Sequence, residues 1–365
     1  MNVIKYLKEN GIEKLKSDFK IKVREYPDLI VLNYDQLDSP KLDPIVIECR
    51  MLILDKAFNV VARSFNRFFN LNETKFSKVH ELTDEYSVFE KRDGSLIGIY
   101  FHNGKWNTST KSTAYGEMIV GISRDTSWKT FHELILIALE LTEEEFQNNC
   151  NSNLDKNECY IFELTSPMKT VVKEYNDYQM TFLCQRNKHT GKYSKANNIG
   201  LIGTISYPVE YHFKNLESCI DACSRLIKLD EGFVIYKNGI PHAKLKSILY
   251  LTTVYFNDTG YKKEKIYEVI LINEQDEFLT YFPEYEKEIL DCKSKYDNFI
   301  EHIDYNYLEV AHIEDQKDFA VKISKSPYKP YKSLYFLARK MNKNPKEIFN
   351  EMSIEKKANL LASLK

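Results

Sequence analysis

The stretch Glu90-Lys91-Arg92-Asp93-Gly94-Ser95 lies between two strand-like runs, residues 86–89 and 96–101. Asp-Gly favours a tight turn, so the sequence predicts that Lys91 ends a strand and that the chain reverses after it. A lysine amine is a nucleophile only when its surroundings keep it neutral. These six residues alone are better explained by an exposed charge beside an ordinary turn, so a chemical role for Lys91 requires partners elsewhere in the chain.

Composition indicates a globular protein. The chain has 365 residues, of which 43% are hydrophobic and 28% charged, so it is long enough for about two domains. The net charge is −2, which excludes a general polycation. Nucleic-acid binding would therefore depend on local basic patches. No apolar run is long enough to span a membrane, and the N-terminus lacks the pattern of a secretory signal.

The cysteines point to a reducing compartment. There are 7, an odd number with scattered spacing and no Cys-x-x-Cys pair. We therefore expect reduced thiols in a cytoplasmic protein. Cys219 and Cys223 lie one helical turn apart, with His212 nearby. Because a fourth ligand is not evident, buried thiols on a helix are a better interpretation than a zinc site.

Two arginines stand out upstream of Lys91. The run 45–54 is typical of a strand and contains Arg50, and residues 59–64 return as a second strand. Arg67 follows among phenylalanines. Each arginine is either a surface cation with a buried stem or part of a pair of anion clamps, since guanidinium groups suit phosphate oxygens.

Downstream of Lys91 the chain continues in strands. Residues 86–112 predict a three-stranded meander whose last strand carries Lys111, and Asn103-Gly104 is a hairpin signal. A helix is predicted at 127–141, with Thr126 or Ser127 as its N-cap. Further strands are predicted at 158–164, 171–175, 180–184, 231–236 and 240–246, and a helix at 216–228.

Charged residues recur within these apolar strands. Glu163 lies in one strand, Glu231-Gly232 opens another, and Lys244 and Lys246 share one face of a third. A carboxylate in an apolar strand is costly unless it binds a cation or a donor. Two lysines on one face repel each other unless an anion lies between them. Such an arrangement suits a triphosphate with Mg²⁺.

Beyond about residue 253 helical periodicity replaces strands. Helices are predicted at 263–271, 285–303, 331–341, 345–351 and 354–364, so we place a domain boundary there, giving domains 1–253 and 254–365. Residues 319–346 contain no Asp or Glu. The span is either a solvated helix face or an RNA-binding surface, in which aromatics would stack on bases. Its basic residues include Lys322, Lys325, Lys329, Lys332, Arg339 and Lys340, among the aromatics Tyr328, Tyr331, Tyr335 and Phe336.

Taken in order, these motifs resemble those of the covalent nucleotidyltransferases, the polynucleotide ligases and capping enzymes. The order is Lys-x-Asp-Gly-Ser, Phe-Glu, Glu-Gly-Phe-Val and Lys-x-Lys. Glu48-Cys49-Arg50 and the run 67–73 are most similar to signatures of the T4 RNA ligase 1 family. The resemblance covers about residues 45–250. Met51 stands where the family often has Gly, and Arg67 where Lys is usual.

The resemblance implies an α+β fold: an adenylyltransferase domain of packed antiparallel sheets with flanking helices, then an all-α C-terminal domain that selects the RNA. It also implies an ATP-dependent RNA ligase that joins 3′-OH and 5′-phosphate ends through AMP carried on Lys91. Asp93, Glu163 and Glu231 would be catalytic and would hold Mg²⁺ or Mn²⁺ through water. The implied contacts to ATP are Arg50, Arg67, Glu90, Lys91, Lys111, Glu163, Lys244 and Lys246, of which Lys91, Lys244 and Lys246 are also catalytic.

Two other classes remain open. One is a DNA ligase or a GTP-dependent capping enzyme, and the other is a non-catalytic RNA-binding protein of the same fold. The complete set of lysines and carboxylates argues against the second, because a binding module does not need a neutral lysine. The family's usual setting is repair of a nicked tRNA anticodon loop in the cytoplasm of a phage-infected cell. We also expect a monomer that does not bind membranes.

Overall fold

The computed structural model describes residues 1–35, 38–120, 128–168, 175–194, 204–226, 230–247, 249–252, 263–272, 274–325 and 327–364. The chain forms two compact units, Met1–Val254 and Tyr255–Lys365. Every described strand belongs to the first unit, and the described part of the second unit is helical. The predicted α+β class is confirmed.

The N-terminal sheet of the first unit has four strands that pair antiparallel in chain order. Helix α1 covers one face of this sheet, where Val3 and Leu7 pack against strand residues such as Leu32. The helix is kinked at Gly11, whose φ of 78° is not helical. The bounds are α1 Asn2–Phe19, β1 Ile21–Glu25, β2 Leu29–Tyr34, β3 Leu52–Asp55 and β4 Val60–Arg63.

The prediction of one strand over 45–54 is wrong. A short helix, α2, spans Pro44–Glu48, and β3 begins only at Leu52. The Asp43 carboxylate accepts a hydrogen bond from the amide of Ile45 at 2.8 Å, and proline suits the first turn of a helix. These helix-start signals override the β-branched residues that follow. Arg50 therefore lies in the connection between a helix and a strand.

Two larger sheets form the centre of the first unit. One has six strands in the order β13-β12-β11-β7-β8 with β14 beside β12, and the other has five in the order β15-β6-β16-β17-β5. Their pairings are antiparallel except for two short parallel pairs, β12 with β14 and β17 with β5. The strand bounds are β5 Phe69–Asn70, β6 Tyr86–Lys91, β7 Ser95–His102, β8 Lys105–Thr110, β9 Ile119–Val120, β10 Lys129–Thr130, β11 Glu158–Thr165, β12 Gln179–Asn187, β13 Tyr193–Ser194, β14 Ile205–Ser206, β15 Glu210–Tyr211, β16 Gly232–Lys237 and β17 Ile240–Lys246.

The predicted meander over 86–112 is also wrong in one respect. β7 and β8 form the expected hairpin, but β6 does not pair with β7. β6 pairs with β15 and β16 in the five-stranded sheet, whereas β7 pairs with β11 and β8 in the six-stranded sheet. Asp93-Gly94 therefore carries the chain from one sheet to the other. Lys91 lies at the last position before this crossover.

Three helices cover the central sheets. α3 and α4 pack on the six-stranded sheet, and α5 packs on the five-stranded sheet through Cys219 and Cys223. The helix predicted at 127–141 is shorter, because Thr130 forms a capping box with Glu133. Thr126 and Ser127 lie outside the described residues, as do most of the predicted strand 171–175 and residues 227–228 of the predicted helix 216–228. The bounds are α3 Phe131–Leu139, α4 Glu143–Asn153 and α5 Leu216–Ser224.

The second unit contains helices close to those predicted and two that were not predicted, α7 and α9. The bounds are α6 Lys263–Leu271, α7 Gln275–Tyr281, α8 Glu286–Ala311, α9 Gln316–Ile323, α10 Lys332–Met341, α11 Pro345–Glu351 and α12 Ile354–Ala362, with 3₁₀ turns at Pro283–Tyr285 and Lys329–Tyr331. Within the described ranges, no helix is long and apolar enough to cross a membrane.

The aromatics of the basic segment form the core of this unit. Tyr331 stacks on Phe299 at 5.0 Å and on Tyr335 at 5.4 Å between ring centroids. Tyr328 is buried as well. The prediction that these rings stack on RNA bases is therefore wrong, because they are already packed against protein. The apolar face of the helices, rather than a nucleic-acid surface, explains their spacing.

Candidate active site

A cavity of about 160 Å³ is lined by residues from both central sheets. It contains most of the predicted site: Arg50, Glu90, Lys91, Glu163, Glu231, Lys244 and Lys246, together with Arg92, which was not predicted. The chain positions that contribute these residues are far apart in sequence. Strand pairing brings them together, because β6 lies beside β16, and β16 beside β17.

Lys91 and Glu231 form the central contact of this cavity. The Lys91 Nζ lies 2.5 Å from Glu231 Oε2, and the side chains are 19% and 6% exposed. Lys91 is the register partner of Gly232, which places Glu231 next to the lysine. Gly232 has a φ of 139°, and a Cβ there would lie 2.0 Å from the carbonyl oxygen of Leu245. Only glycine fits, which explains the Glu-Gly pair.

Lys244 and Lys246 point into the same cavity, as strand alternation predicts. In the pairing of β16 with β17, Lys246 lies opposite Gly232 and Lys244 opposite Val234. Lys246 is therefore close to the Lys91–Glu231 pair, and Lys244 lies two residues further along the strand. The cavity thus has the Glu231 carboxylate beside Lys91 and Lys246, and Lys244 further along the same strand.

Glu163 contributes the second carboxylate, from β11 of the six-stranded sheet. Desolvation by the surrounding strands raises its pKa from 4.5 to about 7, although Lys91 acts in the opposite direction. The negative charge of Glu231 adds to the rise. A carboxyl group with such a pKa is partly protonated near neutral pH and can exchange a proton there.

A second group of cations surrounds Tyr34, which the sequence did not single out. Burial raises the pKa of this phenol, but four nearby cations outweigh burial and lower the pKa to about 8. The guanidinium of Arg67 lies 4.2 Å from the Tyr34 ring centroid, and the Lys111 amine 4.8 Å from it. The four cations are Arg50, Lys111, Lys244 and Arg67, and we call them the cation cluster.

Phe68 connects the cation cluster to the Lys91 cavity. The guanidinium of Arg50 and the amine of Lys244 lie 5.2 Å and 5.5 Å from its ring centroid, and all three side chains line the cavity. A polyanion that enters the cavity would therefore meet several positive charges on the side of Phe68. No spacing rule predicts Tyr34, because it simply ends an apolar strand.

Three predicted residues do not line the Lys91 cavity. Arg67 and Lys111 lie at Tyr34, as part of the cation cluster. Lys111 is one residue past the end of β8 rather than within it. Asp93 is 6% exposed and accepts a hydrogen bond at 3.0 Å from the hydroxyl of Tyr250. This contact ties the crossover after Lys91 to the residues that follow β17.

The described residues contain no group of three or more His, Cys, Asp or Glu side chains that could directly hold a metal ion. Glu163 and Glu231 share the cavity, but Asp93 is turned to Tyr250. The prediction that these carboxylates hold a metal through its water molecules stays a prediction. Cys219 and Cys223 are buried in the core against Phe233, as expected for structural thiols.

The predicted RNA-binding residues belong to the second unit. Lys322, Lys325, Lys329, Lys332 and Lys340 are exposed. Arg339 has a structural role instead. Its guanidinium donates hydrogen bonds to the carbonyl oxygens of Ile313 and Glu314 and lies 4.7 Å from the Phe319 ring centroid.

Comparisons with known proteins show the family to which the chain belongs. The sequence model of a family described as RNA ligase matches residues 48–267, which is more than half of the chain. A protein named as a bifunctional polynucleotide kinase/RNA ligase, from Autographa californica nuclear polyhedrosis virus, is 35% identical over 298 residues. The match covers 78% of this chain but only 42% of the viral protein.

Two solved structures to which the chain is similar are those of RNA ligases. An archaeal ATP-dependent RNA ligase has a TM-score of 0.47 and 12% sequence identity, and the match covers 88% of this chain and 89% of the other. A variant of a Naegleria gruberi RNA ligase with AMP and Mn has a TM-score of 0.35 and 13% identity, over 52% of this chain and 57% of the other.

Proposed function

The chain belongs to the RNA ligase family, and on this basis we propose that it joins RNA ends with ATP, through AMP carried on Lys91. The observation that supports this proposal is the Lys91 cavity. It combines Lys91 with three carboxylates and several cations around a volume of about 160 Å³. A non-catalytic RNA-binding protein has no need for this arrangement.

In the first step the neutral Lys91 amine attacks the α-phosphorus of ATP. The N–P bond forms while the bond from phosphorus to the bridging oxygen of pyrophosphate breaks. Since the displacement is in line, pyrophosphate leaves on the side opposite Lys91. Arg50 and Lys244, which converge on Phe68, are placed to stabilise its charge.

The amine must first lose a proton. In the structure the Lys91 amine forms an ion pair with the Glu231 carboxylate. Glu163 shares the cavity, and desolvation gives it a pKa of about 7, so it can take up a proton near neutral pH. We propose that Glu163 accepts this proton, directly or through a water molecule, when ATP binds.

In the second step a 5′-phosphate oxygen of RNA displaces the lysine from AMP and gives an adenylylated RNA end. In the third step a 3′-OH attacks that end, the phosphodiester bond forms and AMP leaves. The cavity's part in these steps is to orient the phosphates and to stabilise their charge.

A divalent metal is compatible with this cavity. Glu163 and Glu231 present carboxylate oxygens, which suit Mg²⁺ or Mn²⁺ held through water molecules. A metal bound there would neutralise charge on the triphosphate. In its absence the same two carboxylates oppose phosphate binding, so we expect ATP to bind together with the metal.

The RNA is recognised in part by the second unit. We propose that its exposed lysines contact phosphates of the substrate, and that the substrate is a broken RNA such as a nicked tRNA anticodon loop. The chain spans less than half of the viral relative, so we do not assign the whole activity of that larger protein to this chain. A cytoplasmic, monomeric enzyme that acts in RNA repair is the corresponding proposal.

The decisive experiment is Lys91→Ala, incubated with α-labelled ATP and Mg²⁺. The label should attach covalently to the wild-type protein and be released by added pyrophosphate, and the variant should take up none. Lys105→Ala, which removes an exposed lysine from the β8 hairpin, is the matched control and should label normally. Label on the Lys91 variant would contradict the assignment of the nucleophile.

The same assay separates the related activities. Labelled GTP in place of ATP tests a capping enzyme. Nicked DNA and single-stranded RNA, offered in turn to the labelled protein, test a DNA ligase against an RNA ligase. We expect label from ATP alone and transfer to RNA carrying a 5′-phosphate.

A further inference from the structure

A second cavity, of about 210 Å³, lies beside the Lys91 cavity, and Leu96 lines both. It is formed where the crossover enters β7 and where the chain leaves β8. One part of its wall carries hydrogen-bond donors, Ser95, Lys111 and Ser112. Another part is apolar and consists of Met118 and Phe131. None of the steps described above uses this cavity.

Lys111 connects the second cavity to the cation cluster. Its side chain lines the cavity, while its amine lies 4.8 Å from the Tyr34 ring centroid. Arg50 and Lys244 act on the same phenol and also line the Lys91 cavity. A phosphate held at the cation cluster is therefore accessible from both cavities.

A two-stranded ribbon, β9 and β10, extends from the apolar wall. Met118 immediately precedes the ribbon and Phe131 immediately follows it, and the Phe131 amide donates to the Met118 carbonyl at 3.1 Å. Ile119 on this ribbon is 62% exposed, and Trp128, which directly precedes β10, is 63% exposed. An exposed indole next to the ribbon that extends from this cavity is a surface on which a nucleobase can stack.

We propose that the second cavity binds the terminal nucleotide of the 5′-phosphorylated RNA end, with its phosphate at the cation cluster and the following bases on the ribbon. The proposal rests on the proposed function, because it assigns a place to the RNA of the second step. The donors suit the phosphate and ribose, and the apolar wall suits the base.

The direction of attack favours the phosphorylated end over the 3′-OH end. Pyrophosphate leaves opposite Lys91, towards the cation cluster. In the second step Lys91 is the leaving group, so the incoming oxygen must approach from that same side. The departure of pyrophosphate leaves the cations available for a new phosphate. A 3′-OH carries no charge that would use them.

The transfer of AMP from Lys91 to the RNA 5′-phosphate needs no further reactant. A nonbridging oxygen of the RNA 5′-phosphate forms a bond to the phosphorus of AMP, and the N–P bond to Lys91 breaks. The nitrogen keeps the electron pair and takes up two protons from water, which returns the lysine as an ammonium group to its ion pair with Glu231. The product is RNA with AMP joined to its 5′ end through a pyrophosphate linkage.

The test uses Ser112→Glu in the full-length protein, labelled with ATP and freed of nucleotide before RNA is added. A carboxylate in the cavity repels a phosphate, so transfer of AMP to 5′-phosphorylated RNA should fall at least about tenfold. Self-adenylylation at saturating ATP should stay within about threefold of wild type, because Ser112 does not line the Lys91 cavity and saturation offsets any weaker binding of ATP. Ser152→Glu, which adds the same charge on α4, is the control.

A second variant, Trp128→Ala, removes only an exposed side chain and so preserves the fold. It should raise the RNA concentration needed for half-maximal transfer by about fivefold or more, as the loss of one stacked base does. Unchanged transfer in both variants would overturn the proposal. So would an equal loss of self-adenylylation, which would make the cavity part of the ATP site.

A third readout identifies the end that binds. If the variants seal pre-adenylylated RNA to a 3′-OH poorly but accept 5′-phosphate normally, the cavity holds the 3′-OH end and the proposal is wrong. Failure of the wild-type protein to take label from ATP would instead contradict the proposed function.

Discussion

Met51 departs from the family pattern in residue type but adopts the backbone conformation that the usual glycine would have. It stands where the resembling family often has glycine, and its φ is 48°, in the left-handed region that glycine adopts most easily. This conformation costs an ordinary residue about 1 kcal/mol. The buried side chain offsets that cost, since its Cε reaches the space above Gly98, 2.6 Å from where a Cβ would lie.

Tyr34 should make ATP binding depend on pH. Its pKa is about 8, so above that pH the phenolate places a negative charge among the four cations. The KM for ATP in self-adenylylation should therefore rise about three- to tenfold between pH 7 and 9. In Tyr34→Phe this rise should be absent. An identical pH profile in the two proteins would show that Tyr34 does not ionise at the phosphates.

Glu163 should make stability depend on pH in a defined window. Its pKa is raised from 4.5 to about 7, so between these values the folded chain holds a proton that the unfolded chain releases. Stability therefore falls as pH rises through the window. Glu163→Gln should be more stable than wild type at pH 8, by up to about 3 kcal/mol, and equal to it at pH 4.5.

Urea unfolding at pH 4.5, 6 and 8 measures this difference. Glu144→Gln, on the exposed face of α4, is the control and should not change with pH relative to wild type. A difference between Glu163→Gln and wild type that is constant with pH would show that the carboxyl group is not desolvated.

At the scale of elements, Gly94 is essential to the crossover between sheets. A Cβ on it would lie 2.4 Å from the carbonyl oxygen of Leu164 and 3.1 Å from Glu163 Cγ. Gly94→Ala should therefore push the crossover away from β11, destabilise the protein by about 1–3 kcal/mol and slow self-adenylylation at least about tenfold. Thermal unfolding and labelling with ATP measure the two effects.

Gly104 offers a control for this substitution. It has a φ of 80°, and no atom lies within 4 Å of the place that a Cβ would occupy, so Gly104→Ala strains the backbone without a clash. It lies at the β7–β8 hairpin, away from the Lys91 cavity. We expect a loss of stability there with normal labelling. Equal loss of labelling in both variants would mean that Gly94 acts through stability alone.

The positions of strands and helices were predictable where local turn and helix-start signals mark their ends. β16, β17 and α11 match their predicted spans closely, because Gly232, the Asn238-Gly239 turn and the Asn344-Pro345 start are local signals. Pairing was not predictable. Nothing near Lys91 indicates that β6 pairs with residues 232–237 instead of with β7, since that choice depends on contacts distant in sequence.

At the scale of the whole molecule, the motifs predicted which residues share the cavity but not what surrounds it. Lys91, Glu231 and Lys246 were predicted from their order in the chain and lie together. Tyr34 has no motif, and its importance appears only when the cations converge on it. The sequence left two interpretations open for the aromatics of the second unit, because the same spacing suits a helical core and a base-stacking surface; in the structure they belong to the core.

The exposed lysines of the second unit should affect RNA and not ATP. Replacing Lys322, Lys325 and Lys329 together by Gln should weaken RNA binding and make it less dependent on salt. The slope of the logarithm of the binding constant against the logarithm of the salt concentration should become shallower by about 0.7 for each phosphate that is no longer neutralised. Self-adenylylation should be unchanged. The control replaces the exposed Lys287, Lys317 and Lys356 of the same unit by Gln. Equal salt slopes in both variants would show that the basic segment is only a solvated face.

The crossover at Asp93-Gly94 also has a consequence for the order in which the protein folds. β1 to β4 pair with their neighbours in sequence, so the N-terminal sheet can form as soon as residue 63 has left the ribosome. β6 has no partner until residues 210–211 and 232–237 are made. Lys91 is therefore synthesised early but enclosed late, after a long loop has closed. A nascent chain released before residue 246 would carry Lys91 on an unpaired strand edge, and such an edge is prone to aggregate.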